Sequence, residues 1–152
     1  MPSAYLTIKL VHIVSATLLF GTGLGTVFFM YCAHRSRDIR ALAVTSRHVV
    51  TADWLFTLPA VFTQLATGLW LAGFLGISPT SAWFAAVITL FGIVGLCWIP
   101  VVIIQIRIRE LAAANRPDEI EVLMRRWTAL GIPAFVLTLV LFALMVLKPG
   151  IG

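Results

Sequence analysis

The chain has 152 residues, of which 61% are hydrophobic and only 11% charged, with a formal net charge of +5. Soluble domains average about 25% charged residues, and a chain this short cannot hide so much apolar surface in one water-facing core, so an ordinary soluble globule is excluded. The basic residues flank apolar runs without aromatic interleaving, which argues against a nucleic-acid surface and for topology and lipid-headgroup signals.

The first apolar stretch predicts a span over residues 4–33. It is too long for a signal-peptide core and lacks a positive leading region and a small-residue cleavage site, so it is expected to remain as a span. It carries Lys9 and, one turn later, His12. Thr17, Gly21 and Gly25 recur every fourth residue on the roughly opposite face, a spacing that lets helices approach closely. The segment HRSRDIRALAVTSRH then reads as a short basic connection.

A second span is expected over residues 49–75, where Asp53, Thr57, Ala60, Gln64 and Thr67 follow helical spacing and form a polar face. The uncharged turn GISPTS leads to a third span over residues 82–106. Gln105 and Arg109 lie towards its end, with Trp98 two turns deeper. In the next connection, Pro117 followed by Asp118 and Glu119 predicts the start of a short surface helix, because proline suits a first turn and acids complement its dipole. The fourth span is expected over residues 129–147, with Gly131, Ala134 and Thr138 on one packing stripe and Trp127 above it. Pro59, Pro100 and Pro133 are expected to kink their spans.

Each stretch has about the 20 residues needed to cross a hydrocarbon core as a helix. Open strand edges cannot face lipid. The predicted fold is therefore all-α, a single membrane domain over residues 1–152 built as a four-transmembrane-helix bundle. Nine of the eleven basic residues flank the first and third connections; Lys9 and Lys148 alone lie at the other end. The positive-inside rule then places those connections in the cytoplasm and both termini outside, which in a bacterial inner membrane means the periplasm.

An ionisable residue inside a span is a functional candidate by default. His12 suits a haem axial ligand or a proton-handling group, or equally a hydrogen bond between helices. His34 and His48 bracket the first connection and are weaker cofactor candidates, as a pair at one end of the bundle. His12 and His34 share a helix face but stand about 33 Å apart at ~1.5 Å per residue, so they cannot hold one haem. Asp53 needs a partner, for which Arg109 or Arg107 is expected. No zinc or di-iron spacing is present, and no metal site is expected. Cys32 and Cys97 form no CxxC pair and read as apolar thiols.

The stretches KLVHIVSATLLFGTGLGTVFFMYCAHRS, RHVVTADWLFTLPAVFTQLATG, CWIPVVIIQIRIREL and RWTALGIPAFVLTLVLFALMVLKP resemble a bacterial family of integral membrane proteins catalogued as a domain of unknown function. That resemblance covers nearly the whole chain and implies four spans. The opening YLTIKLVHIVSATLLFGTGL is more distantly similar to that of HemJ-type protoporphyrinogen oxidases, which implies haem b with His12 as the candidate ligand and Lys9 at the preceding basic position. It departs from that opening at Phe20, Gly21 and Thr22.

Three functions follow as expectations. The first is a haem-b-binding or redox-related bundle using His12. The second is a non-catalytic subunit or assembly partner whose glycine faces dock another membrane protein or a second copy. The third is a small proton-coupled transport component using Asp53 and Gln64. The lipid bilayer is the common partner in all three.

Overall fold

The computed structural model describes residues 2–148. Helix α1 spans Pro2–Arg35 and α2 Ile39–Ala52; a π-helical turn, Asp53–Thr57, joins α2 to α3, Leu58–Phe74. Helices α4, Ala82–Ala113, and α5, Pro117–Leu147, complete the chain. With α2, the π turn and α3 taken as one rod, four helices are long and apolar enough to cross a membrane. Leu6, Leu10, Phe28, Phe62, Leu96 and Val146 lie exposed along their length, which only a hydrocarbon solvent makes favourable. The all-α four-helix membrane fold expected from the sequence is the fold observed.

The connections are tighter than the sequence pattern suggests. Most of HRSRDIRALAVTSRH is helical, because Leu42, Ser46, Val49 and Val50 form a buried stripe at helical spacing between outward-facing Arg40 and Arg47. Asp38 starts this helix: its carboxylate accepts from the amides of Arg40 (2.8 Å) and Ala41 (3.3 Å). Asp38→Ala is therefore expected to cost about 1 kcal/mol, read as an earlier midpoint in denaturant titration of detergent-solubilised protein. Nor is the segment after Pro117 a separate surface helix. Pro117 opens α5, which continues without a break into the fourth span, and Asn115 closes α4 in the left-handed conformation.

The two ends of the bundle differ. At the arginine-rich end, Met30 of α1, Leu42 of α2, Ile108 of α4 and Ile120, Met124 and Trp127 of α5 share one packed core. Met30, Ile108 and Ser46 have no exposed surface at all. At the lysine end, a smaller cluster of Trp83, Val87 and Leu141 holds α4 to α5, and the Trp83 indole donates to the Leu144 carbonyl at 2.8 Å. Away from the arginine-rich end, α3 packs on α1, and α4 packs on α5. The chain thus forms two helical hairpins, joined through α2 and α4 at the arginine-rich end and by the short turn between α3 and α4 at the lysine end, where Ile77 packs on the Trp83 cluster. On one side Phe20 of α1 stacks against Phe135 and meets Phe142 of α5, with ring centroids 5.2 and 5.5 Å apart.

The small-residue stripes do not pack within the chain. A Cβ added at Gly21, Gly25 or Gly131 would meet nothing within 4 Å. The close approach lies instead at Gly68, where an added Cβ would come 3.2 Å from His12 Cε1. The imidazole of α1 fills the groove over that glycine, so a side chain, not bare backbone, sets the α1–α3 spacing.

Candidate functional site

Between the two hairpins lies a cavity of about 590 Å³, lined by residues of all four spans. Its walls are largely apolar, with polar side chains gathered at two depths. Both groups come from the polar face of the second span, each completed by another helix.

The first group joins α1 to α3. His12 Nδ1 lies 2.8 Å from Thr67 Oγ1, and His12 Nε2 lies 2.9 Å from the Gln64 amide nitrogen. Ser15 Oγ lies 2.5 Å from Gln64 Oε1 and 2.9 Å from the His12 carbonyl. The directions follow from the end of the chain. Thr67 Oγ1 donates to the Thr63 carbonyl at 2.6 Å, so it accepts from His12 Nδ1–H. His12 Nε2 is then an acceptor for Gln64, whose oxygen in turn accepts from Ser15. His12 is a neutral imidazole protonated at Nδ1, with both nitrogens engaged. This is the interhelical hydrogen-bond role that its sequence left open.

A double-mutant cycle on His12→Phe and Gln64→Leu should return a coupling energy of about 0.6–2 kcal/mol, the range for hydrogen bonds between membrane helices. Strict additivity in unfolding titrations would count against the network.

The second group lies deeper, towards the arginine-rich end. Asp53 is 4% exposed and sits in the π turn. The turn has a local cause in Pro59, which lacks an N–H and crowds the carbonyl four residues earlier. The helix widens so that the Leu58 amide bonds the Asp53 carbonyl, five residues back. Such π turns occur often at functional sites. Thr57 Oγ1 donates to Asp53 Oδ1 at 2.9 Å. With the Gln105 amide oriented to satisfy its neighbours, its nitrogen donates to Asp53 Oδ2 at 2.7 Å and its oxygen accepts from Trp127 Nε1 at 3.2 Å. Trp98 stands against the same carboxylate. The indole N–H of Trp127 can only donate, so it fixes the sense of this chain: every bond runs towards Asp53.

The arginine partner expected for Asp53 is not there. Arg109 lies 3.7 Å from its neighbour Glu110, and among the described residues no basic side chain pairs with Asp53. Arg107 faces outward at the end of α4. The second span turns Asp53 into the bundle at a depth where α4 presents Gln105 and not an arginine.

The other candidates fall elsewhere. His34 Nε2 lies 3.2 Å from Glu121 Oε2, tying the end of α1 to the start of α5. His48 is exposed and borders a separate surface hollow with Thr22, Gly25 and Phe29. The two thus have different neighbours, His34 on Glu121 and His48 at the hollow. Gly131 lines the central cavity, as do Gln64, Gln105, Trp98 and Trp127. Ser15 and Gly68 were missed by sequence reasoning. Ser15 follows His12 by three residues and so shares its helix face, which is the signal that was present. Gly68 offered none, since one glycine in a span has no distinctive spacing.

The haem implied by the first-span resemblance does not fit this arrangement. An axial bond needs a free imidazole nitrogen, and here Thr67 takes one and Gln64 the other. Nor is any cluster of three metal-ligating side chains found among the described residues.

Residues 6–149 match a family model described as a predicted integral membrane protein, DUF2269. No curated protein and no solved structure matches the chain.

Proposed function

The chain belongs to this DUF2269 family of integral membrane proteins, and we propose that it is a membrane-embedded binding protein that takes an apolar, lipid-soluble small molecule between its two hairpins. The observation that carries this reading is the cavity itself. Its volume of about 590 Å³ lies within the range of small-molecule sites, and a mostly apolar wall with a few convergent polar groups is their usual composition. This reading keeps Asp53 and Gln64 at the centre, as the transport expectation had them, and moves His12 from ligand of a cofactor to clamp of a wall.

The arginine pattern supports an orientation with the packed end in the cytoplasm and the lysine end outside. Reporter fusions at the two termini test it: activity of a cytoplasm-only reporter at both ends would overturn the orientation.

The binding reading is tested by native mass spectrometry of protein released from mild detergent, followed by solvent extraction. We expect one apolar species in near-equal amount with the wild-type chain. Gly131→Leu should lose it, because the new side chain grows into open cavity. Bulk phospholipid alone, carried equally by wild type and variant, would overturn the reading. In the same preparation, dithionite-reduced minus oxidised spectra should show no haem b bands even after expression with ample haem. A Soret band lost in His12→Ala would restore the haem function.

A further inference from the structure

We infer that the molecule taken up by this cavity is a lipophilic organic cation, whose charged end seats against Asp53 between Trp98 and Trp127. The inference rests on the binding reading above and names the ligand class of that same site.

Asp53 is more than nine-tenths buried and lines the cavity. Both its oxygens act as acceptors: Oδ1 from Thr57 and Oδ2 from Gln105, with the Trp98 indole alongside. That direction is imposed by Trp127, a donor that cannot reverse. When ionised, a carboxylate held in this way accepts at both oxygens, while burial by itself disfavours that charge. All of these donors are neutral, so the arrangement orients the charge without balancing it. A buried charge without a counter-ion is strongly unfavourable, which is why intramembrane carboxylates are found paired or facing a pathway.

The chain's own cations do not supply the missing charge. The nearby arginines face outward or pair locally, as with Arg109 and Glu110. Lys9 and Lys148 line the cavity at its other end, about 25–30 Å from Asp53 along the helices. Lys9 is held there over the Tyr5 ring, 5.7 Å from its centroid.

What remains open to Asp53 is the cavity, and its surroundings there suit a bulky cation better than a small hydrated one. Indole faces attract cations, most strongly when water is excluded. The apolar walls above then take the hydrophobic body. A metal ion would need several oxygen ligands around it, whereas the other acceptors here are already committed: Gln105 Oε1 to Trp127 and Gln64 Oε1 to Ser15.

The test uses radiolabelled tetraphenylphosphonium in equilibrium dialysis against the purified full chain in a non-ionic detergent. We expect saturable binding of one cation per chain, without competition from neutral triphenylphosphine oxide. Asp53→Asn should weaken it at least tenfold. Because that change also reverses one hydrogen bond to Gln105, a second variant combines Asp53→Asn with Gln105→Glu. The pair restores acceptors facing the Trp127 and Asn donors and moves the charge by one side chain, so binding should return at least in part.

Equal affinity for the neutral and cationic probes, both abolished by Gly131→Leu, would overturn the cation inference and leave the binding site standing. Cation binding indifferent to Asp53→Asn would also overturn it. No saturable uptake of either probe, together with no co-purifying apolar species, would remove both readings. The comparison of the two probes needs only the wild-type chain, so a variant that fails to fold leaves the inference still decidable.

Discussion

Trp127→Ala is expected to destabilise the folded protein by about 3–5 kcal/mol, the usual cost of removing a large buried aromatic side chain. Trp127 is 3% exposed and belongs to the core that joins all four spans at the arginine-rich end. In lipid there is little hydrophobic force between helices, so contact packing carries more of the association. The same ring is the donor that orients Gln105, and through it the Asp53 carboxylate. Trp127→Phe separates these two roles. It keeps most of the volume but leaves Gln105 Oε1 without its donor, which should cost about 1–3 kcal/mol. Reversible unfolding by denaturing detergent in mixed micelles measures both. Equal losses for the two variants would mean that the hydrogen bond dominates, and a negligible loss for alanine would mean that the core is not packed as described.

The second large effect is expected at Gly68. Here even a methyl group would stand 3.2 Å from His12 Cε1, closer than ordinary contact. A leucine cannot be absorbed by a small shift. It must push the imidazole away and part α1 from α3, an overpacking cost of about 1–3 kcal/mol before the lost hydrogen bonds are counted. Nitrogen-15 spectra of histidine provide the readout, in a background carrying His34→Gln and His48→Gln. Wild-type His12 should show the pattern of a neutral ring protonated at Nδ1. Gly68→Leu should shift it to an averaged or protonated pattern, with Gly68→Ala between them. An unchanged tautomer in Gly68→Leu would show that His12 is not held against that glycine.

The architecture was legible because it rests on bulk properties. Four apolar runs and their flanking arginines survive any error in local detail, and they fix the number of spans. Half of the site was legible too. The spacing Asp53, Thr57, Gln64 and Thr67 marks one helix face, and all four turn inward, with Thr57 and Asp53 bonded to each other. What the sequence withheld was the partner across the gap. Asp53 looked as though it needed an arginine because charge pairing is the ordinary solution, and Arg109 lies only four residues past Gln105. One helical turn in α4 separates a guanidinium at the surface from an amide in the interior, and sequence alone does not say at which turn α2 and α4 meet. The helix lengths escape the sequence for a related reason. Hydropathy marks where lipid ends, not where the backbone stops being helical, so the amphipathic turns of α2 and the first turns of α5 look like connections.

The difference between the two ends also has a mechanical meaning. Were the hairpins to move, the packed residues around Met30, Ile108 and Trp127 would be the fulcrum and the helices beyond them lever arms of about 30 Å. A rotation of about 5° at the fulcrum would move the tips by roughly 2–3 Å, the scale of ordinary hinge displacements. Residues 75–81 tie α3 to α4 at the tips, where Ile77 packs on the Trp83 and Leu141 cluster, so the side that could part is that of α1 and α5, where Phe20 meets Phe135 and Phe142. Thickening or thinning of one leaflet would then be felt as a change in aperture, while the other leaflet grips a rigid stem.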